Sequence, residues 1–365
     1  MALSVNPTTK TSHNGEIEET SAFERFHVVS DDSDHYYVST NRPKKDGGDC
    51  FSNGGSRVYK KIMQEWRILE KHLPDSIYVR VYEKRIDLLR AVIVGAAGTP
   101  YHDGLFFFDM AFPSDYPNRP PNVYYRSFGL RLNPNLYANG RVCLSLLNTW
   151  TGKKTEKWNP SESTVLQILL SIQALVLNEK PYFNEPGYGM LGRALWEKKS
   201  LAYNEDVFFL SCKTMLFLLR RPPKNFEAFT NGYFRDRANL ILTACSAYAS
   251  GRVRIGYYTI DGSSSSSTTI IADVSGKFKD LMKQLFPELV AAFKRTGASV
   301  ETFIEQLESE KKTTSVKPKR ERLSKGGNDI ARKVIGKIKR VLGLEKNNIT
   351  KVRKSHAKVQ WISAE

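Results

Sequence analysis

The sequence predicts an α+β fold in which helices pack on an antiparallel sheet. An amphipathic helical pattern comes first, a run of short apolar segments follows, and a second strong helical pattern comes after an irregular stretch. Because the apolar segments succeed one another without intervening helices, we expect them to pair as a four-stranded antiparallel meander. Later helical patterns predict a C-terminal helical extension of this core.

The first ordered element is expected to be a helix that starts near Val58. Its apolar stripe, spaced by three or four residues, consists of Val58, Ile62, Trp66 and Leu69. Pro74 ends this helix, because proline lacks the backbone N–H that a helix interior needs. The preceding residues 1–56 carry 9 acidic against 5 basic side chains and few aliphatic ones. We therefore expect them to form a disordered acidic head.

Four strands are predicted after this helix. They span Ile77–Tyr82, Leu88–Val94, Leu105–Phe112 and Val123–Tyr125. A glycine-rich turn at 95–98 separates the second strand from the third, and four prolines lie between the third and the fourth. A long irregular segment from Ser127 to Asn159 completes this part of the chain.

The clearest helical pattern begins after Thr164, which is a suitable N-cap. Its stripe consists of Val165, Ile168, Leu169, Ile172, Leu175 and Val176. Further helical patterns cover Leu195–Leu219, Phe226–Tyr248 and Phe278–Glu308, with a serine-rich spacer at 263–267. The expected division is a core at 57–217, a helical extension at 218–310 and a tail at 311–365.

The formal charge of +17 belongs mainly to this tail, where 17 Lys or Arg face 4 Asp or Glu. Residues 328–346 could form a basic amphipathic helix suited to acidic protein or membrane surfaces, or the tail could be a disordered solvating segment. Lys317–Arg320 is typical of a nuclear-import cluster. No nucleic acid partner is expected, because the basic residues are not interleaved with aromatic ones.

The four cysteines, at positions 50, 143, 212 and 245, lie far apart and form no C-x-x-C pair. The first residues contain no signal-like apolar run, and no stretch reaches the roughly 20 apolar residues of a membrane span. Location in the cytoplasm or the nucleus is expected. No metal-ligand spacing and no phosphate-binding glycine loop occur, so we expect no bound cofactor.

Several motifs follow one another in a fixed order. They are D-Y-P-N-R-P-P at 115–121, N-P-N at 133–135, N-G-R-V-C-L at 139–144, W-N-P at 158–160 and L-L-S-I at 169–172. Upstream, residues 98–106 add a glycine, a P-Y pair and a G-L-F segment. Over roughly 57–217 this set resembles the ubiquitin-conjugating enzyme family. It is most similar to the large plant phosphate-response type and to the animal hybrid enzymes that combine conjugating and ligase activities.

The resemblance implies that Cys143 accepts ubiquitin as a thioester from an activating enzyme and passes it to a substrate lysine, with or without a ligase. It also implies that the activating enzyme consumes the ATP. Asn135 matches the asparagine that supports the oxyanion of the transfer step. Asn133 replaces the family's usual histidine, which is mainly a structural hydrogen-bonding residue of this loop, and an asparagine could still supply a donor and an acceptor there. Glu185 falls near an acidic position that acts on the lysine.

The chemistry of Cys143 can also be judged from the residues alone. A thiolate is nucleophilic near neutral pH and leaves readily when an amine attacks, which suits an acyl carrier. The loop-like setting after Gly140 can expose the sulfur. Most isolated cysteines are instead small buried hydrophobic residues, which is the alternative for this one.

The chain departs from the family pattern at three places. Asn133 stands for the histidine, so any pH response that depends on that histidine is lost. The segment 149–156 makes the number of residues between Cys143 and Trp158 larger than in the family core. This segment either contacts an acceptor or ligase, or is a tolerated surface insertion. Asn118 stands where many relatives carry an aromatic ligase contact, and Pro160 lies in the companion loop. Lys60 and Lys61 fall where the family meets its activating enzyme, and a solvated helix face explains them equally well.

Two other classes of function remain open from the residues alone. A cysteine hydrolase would need a base histidine near Cys143, and only His102 is embedded in core pattern. A non-catalytic ubiquitin-binding relative would not need both Cys143 and Asn135.

Overall fold

The computed structural model describes residues 23–38, 50–150, 152–185, 193–258 and 274–315. Five strands form one sheet: β1 (Phe26–Val29), β2 (Ile77–Tyr82), β3 (Leu88–Val94), β4 (Leu105–Ala111) and β5 (Asn122–Tyr125). β2 to β5 are an antiparallel meander, and β1 runs parallel to β2 at the edge. The predicted meander is confirmed, and the structure adds a fifth strand.

The helices of the described ranges surround this sheet. They are α1 (Arg57–His72), α2 (Val165–Ser171, continued by a π-helical turn over Ile172–Val176), α3 (Arg193–Arg220), α4 (Glu227–Ala249), α5 (Gly276–Arg295) and α6 (Glu301–Ser315). The helical pattern expected over Phe278–Glu308 is interrupted, because Gly297 adopts a φ of 86° after α5. Within the described residues, no helix combines the length and apolarity that a bilayer crossing needs.

The described residues through Ser309 form one compact unit, and those from Glu310 to Ser315 belong to a second unit. The serine-rich spacer and the possible basic amphipathic helix at 328–346 lie outside the described residues.

One hydrophobic core lies between the sheet and the first two helices. Side chains of successive strand residues point to opposite faces, so alternate positions of β2, β3 and β4 enter this core. Its members include Val79, Val81, Ala91, Ile93, Phe106 and Phe108 from the strands, and Ile62, Leu69, Ile168 and Ile172 from α1 and the α2 region.

A second core covers the other face of the same sheet. Val92, Leu105 and Phe107 pack there against α3, α4 and α5. Their strand neighbours in sequence belong to the first core, so the sheet is buried on both faces. The helical extension therefore covers apolar sheet surface that water would otherwise contact.

The prediction of a disordered head over 1–56 is wrong for its described parts. Phe26–Val29 forms β1, and residues 31–38 continue along the sheet. Aromatic packing explains part of this order: the Arg80 guanidinium lies 4.1 Å from the Phe23 ring centroid and 5.1 Å from that of Phe226. The attraction of a cation to two neighbouring aromatic rings favours this arrangement.

A buried ion-pair network accounts for the rest of that order. Arg90 of β3 is fully buried and donates to both carboxylate oxygens of Asp109, at 2.6 and 2.9 Å. It also donates to the Asp34 side chain at 2.5 Å, and Arg126 and the Lys224 N–H donate to the same carboxylate. Burial opposes ionisation of Asp109, but the adjacent guanidinium outweighs it and holds the pKa of this carboxyl below its usual value.

His35 lies beside this network as a neutral imidazole. Its Nε2–H donates to the Leu89 carbonyl at 3.1 Å, and its Nδ1 accepts from the Tyr37 N–H at 3.3 Å. Protonation of Nδ1 would replace that acceptor with a second donor. Burial, opposed by the charge of Asp109, lowers the pKa of His35.

We predict that the chain loses stability as the pH falls below about 6.5, the usual histidine pKa. The unfolded chain takes up the proton first, because the folded pKa of His35 is depressed. The free energy of unfolding, measured by urea titration between pH 7 and 5, should fall by at most about 1.4 kcal/mol per pH unit.

The variant His35→Gln should lose this part of the pH dependence. His72→Gln, at an exposed histidine at the end of α1, is the matched control and should not remove this part of the pH dependence. An unchanged dependence in His35→Gln would contradict the assignment.

Candidate active site

Cys143 lies in an extended segment that separates it from the core. Val142 and Leu144 on either side belong to the first core, whereas Cys143 does not. In extended backbone neighbouring side chains point in opposite directions, so the thiol points away from that core. Cys143 is nevertheless only 2% exposed. The expectation that this loop exposes the sulfur is therefore wrong for this structure. Neighbouring side chains must move when a large acyl donor approaches.

Asn135 holds the backbone of Cys143 from both sides. The Cys143 N–H donates to the Asn135 carbonyl at 2.9 Å, and the Asn135 Nδ2 donates to the Cys143 carbonyl at 3.0 Å. Nδ2 carries a second hydrogen, and Oδ1 is buried without a hydrogen-bond partner in the described part of the chain. The structure thus brings the two predicted residues together and leaves one amide hydrogen of Asn135 for a reacting group.

Asn133 is fully buried and uses its entire hydrogen-bonding capacity inside the protein. Its Nδ2 donates to the Tyr101 hydroxyl at 2.8 Å and the Val176 carbonyl at 2.7 Å. Its Oδ1 accepts from the Asn135 N–H at 2.8 Å and from Asn184 at 3.3 Å. The sequence places Asn133 in the catalytic set, but no donor or acceptor remains for a substrate. It acts as the structural centre of the loop that carries Asn135.

Glu185 is half-exposed and lies against the same loop. Its carboxylate is 3.8 Å from the Arg131 guanidinium, and Arg131 donates to the Pro134 carbonyl at 3.3 Å. The preceding Asn184 contacts Asn133 instead. Glu185 is therefore tied to the segment that carries Asn135, through Arg131. Its expected action on a lysine stays a prediction.

Thr149 fastens the segment after the thiol, and the sequence offered no signal for this role. Its hydroxyl donates to the Val142 carbonyl at 2.8 Å and accepts from the Leu144 N–H at 3.0 Å. Thr149 begins the segment 149–156, which makes the distance to Trp158 longer than in the family core. Because Thr149 bonds both neighbours of Cys143, the start of the added segment is part of the site. This contact argues against a merely tolerated surface insertion.

Gly140 permits close packing under the thiol loop. It adopts a φ of 87°, and a Cβ at this position would lie 2.0 Å from the Tyr124 ring. Tyr36 of the head stacks on the Tyr124 ring, with ring centroids 3.5 Å apart. The Tyr125 N–H donates to the Gly140 carbonyl at 2.7 Å. The head therefore supports the active loop, which the prediction of disorder missed.

The proline-rich motifs frame the site structurally. Trp158 donates to the Pro117 carbonyl at 2.7 Å, and the Tyr116 hydroxyl donates to the buried Glu65 at 2.7 Å. Glu65 also accepts from the Val165 N–H at the start of α2, at 3.0 Å. These bonds connect α1, the 115–121 segment and α2.

A groove of about 310 Å³ lies on the outer side of this frame. It is lined by Arg57, Lys60, Lys61, Gln64, Pro117 and Pro160. The structure therefore brings together the lysines expected to meet an activating enzyme and the two loops expected to meet a ligase.

His102 does not serve as a base for Cys143 in this structure. Its Nδ1 is 2.8 Å from Asp103, and its Nε2 is 3.0 Å from the Tyr248 hydroxyl. Both ring nitrogens are therefore engaged within the second core, which removes the support for a cysteine hydrolase. The described residues contain no group of three or more His, Cys, Asp or Glu side chains that could hold a metal ion.

Comparisons with known proteins identify relatives of this chain. The sequence model of the family described as ubiquitin-conjugating enzyme matches residues 61–209. The chain is 51% identical over 276 residues to the Arabidopsis thaliana probable ubiquitin-conjugating enzyme E2 24, covering 75% of this chain and 29% of that protein. It is 55% identical over 230 residues to the putative ubiquitin-conjugating enzyme E2 38 of the same plant, covering 63% of this chain and 68% of that protein.

A more distant relative is human. The dual E2 ubiquitin-conjugating enzyme/E3 ubiquitin-protein ligase BIRC6 is 37% identical over 243 residues, which is 62% of this chain and 5% of that protein. The match covers 29% of the plant enzyme E2 24 and 25% of a second Arabidopsis thaliana relative, the probable ubiquitin-conjugating enzyme E2 23. The chain therefore spans only about a quarter to a third of the length of these two relatives.

We predict that Gly140→Ala destabilises the chain more than Gly129→Ala does. Both glycines have a positive φ, at 87° and 78°, so alanine costs about 1–2 kcal/mol of backbone strain at either position. Only the Gly140 Cβ would collide with a neighbour, which should add about 1–3 kcal/mol. Urea unfolding measures this difference.

To relieve this collision, the loop of Gly140 must move away from Tyr124. This movement should increase the reactivity of Cys143 toward a thiol reagent in Gly140→Ala, and Gly129→Ala should show no such increase. Equal destabilisation of the two variants would show that Tyr124 does not constrain the loop.

Proposed function

The chain belongs to the ubiquitin-conjugating enzyme family, and we propose that it carries ubiquitin as a thioester on Cys143 and transfers it to a lysine of a protein substrate. The observation that carries this proposal is the placement of Cys143. Its thiol points away from the first core, while Asn135 holds both its backbone N–H and its carbonyl. A purely packing cysteine would need neither feature.

The proposed reaction has two steps. The Cys143 thiol loses its proton and its sulfur attacks the carbonyl carbon of the thioester that joins ubiquitin to the activating enzyme; a new C–S bond forms, the old C–S bond breaks and the cysteine of the activating enzyme leaves as thiolate. A lysine amine then attacks the thioester carbon; a C–N bond forms, the C–S bond breaks and Cys143 leaves as thiolate. The lysine proton is released to solvent or to a nearby carboxylate.

Asn135 is proposed to support the oxyanion of the second step. Its Nδ2 already bonds the Cys143 carbonyl at 3.0 Å, so its remaining N–H lies beside the reacting residue. A neutral amide can donate to a developing negative charge without changing its own protonation state. Glu185 is proposed to orient the incoming lysine, which requires its carboxylate to leave Arg131.

Family membership implies ubiquitin, an activating enzyme and ligases as partners. We propose that the activating enzyme consumes the ATP and meets α1 at the groove that contains Lys60 and Lys61. We propose the proline loops of the same groove as the ligase contact. Asn118 is small and polar there, so the interface lacks a large apolar anchor and ligase binding should be weak.

We predict that incubation with activating enzyme, ATP and ubiquitin produces an adduct on Cys143 that a reducing agent cleaves. Cys143→Ala should abolish it, and Cys143→Ser should give an oxyester that resists reduction. Non-reducing gel electrophoresis checks both outcomes. Cys212→Ala, at another buried cysteine, is the control and should still charge. An adduct that persists in Cys143→Ala would refute the proposal.

We predict that Asn135→Ala slows the discharge of preformed thioester to lysine by on the order of 100-fold and leaves charging nearly normal. In the charging step the activating enzyme supplies its own electrostatic support. Single-turnover discharge and melting temperatures are measured in parallel.

Thr149→Val is the matched control for the Asn135 experiment. It removes hydrogen bonds to both neighbours of Cys143 but no group close to the oxyanion. It should therefore affect charging and discharge alike. If Asn135→Ala behaves as Thr149→Val does, Asn135 only holds the loop.

A further inference from the structure

A cleft of about 300 Å³ opens directly beside the thiol loop. Pro113, Pro120 and Pro121 form one side of it, and Val142 and Thr149 form another. Val142 directly precedes Cys143, and the Thr149 hydroxyl donates to the Val142 carbonyl. Cys143 is not among the lining residues, so a molecule held in the cleft would lie against the segment that carries the thiol, on the side of Val142.

The rim of this cleft is cationic. Arg119 and Arg141 both line it, and none of its lining residues, all within the described chain, is acidic. Arg119 is paired with Asp115 at 2.8 Å. Arg141 is exposed, and its guanidinium packs 5.8 Å from the Tyr137 ring centroid, with no ion pair among the described residues. Arginine side chains next to proline and valine side chains are complementary to a carboxylate beside an apolar side chain.

Tyr37 completes the cleft from the head of the chain, outside the 61–209 range of the family match. Its position is set by its neighbours rather than by the cleft. The Tyr37 N–H donates to His35, the Tyr36 N–H donates to Asp109 at 2.9 Å, and the Tyr36 ring stacks on Tyr124. The wall is thus preformed, which lowers the ordering cost of binding.

We propose that this cleft binds an extended segment of the acceptor protein that carries a carboxylate next to an apolar side chain. Arg141 takes the carboxylate, and the prolines and Val142 take the apolar group. The bound segment holds the acceptor while one of its lysines reaches Cys143. This proposal rests on the proposed function, because it names the class of acceptor that the site favours.

Binding is tested with the full chain and two short fluorescent peptides. One carries Asp-Leu-Glu in a Gly/Ser background, and its match carries Asn-Leu-Gln. Fluorescence anisotropy should show at least about tenfold tighter binding of the acidic peptide, and this preference should shrink as salt rises. Arg141→Glu should remove the preference. Arg252→Glu, with the same charge change at an exposed arginine outside the cleft, should keep it.

Transfer is tested by giving each peptide a C-terminal lysine as the acceptor. The charged wild-type enzyme should use the acidic peptide with a KM at least about fivefold lower and a similar kcat. Discharge of the wild-type thioester to free lysine reports on the proposed function separately. If that discharge occurs but both peptides bind and react equally, the cleft proposal is overturned while the enzyme assignment stands.

Two further results would also overturn the proposal. Retention of the preference in Arg141→Glu would place the acidic contact elsewhere. The other result would be that the acidic peptide binds a chain lacking residues 1–22 much more tightly than it binds the full chain. The acidic head would then compete with the peptide and would be the occupant of the cleft.

Discussion

A guanidinium group can stay in a protein interior only if carboxylates neutralise it, and Arg90 meets this requirement with residues from distant parts of the chain. Asp109 binds it from the neighbouring strand, and Asp34 binds it from the head. Asp34 in turn accepts from Arg126 and from the Lys224 N–H, which precedes α4. One buried charge in the sheet therefore requires the head, the sheet and the helical extension to assemble together.

This requirement extends to the active loop through aromatic contacts. Asp109 also accepts from the Tyr36 N–H, which fixes the ring that stacks on Tyr124. Tyr124 packs where a side chain at Gly140 would otherwise be, and Gly140 is followed within three residues by Cys143. The buried network and the thiol loop are thus mechanically continuous, since each contact leaves its neighbour little freedom to shift.

Local patterns in the sequence were sufficient for the elements that depend on local physics. The strands β2 to β5 and the helices α1 to α4 follow from apolar periodicity, caps and prolines, and Cys143 with Asn135 follows from linked motifs. The order of residues 23–38 did not follow, because Asp34 finds its arginine 56 positions away. Composition cannot reveal such a partner. Thr149 and the complete bonding of Asn133 were missed for the same reason: each role depends on backbone groups that only the folded loop brings close.

The bonding of Asn133 also explains why an asparagine suits this position. Two donors and two acceptors are required there, and a neutral imidazole offers only one of each. A neutral histidine would therefore make two fewer hydrogen bonds there, and the Asn184 Nδ2 and the Val176 carbonyl would keep the bond of 3.1 Å that they form with each other. The residues that hold the loop, Asn133, Asn135, Asn184 and Thr149, are all neutral and do not titrate. Their hydrogen bonds therefore need no change of protonation, so any pH dependence of the loop must come from the buried network to which it is joined through Tyr36 and Tyr124.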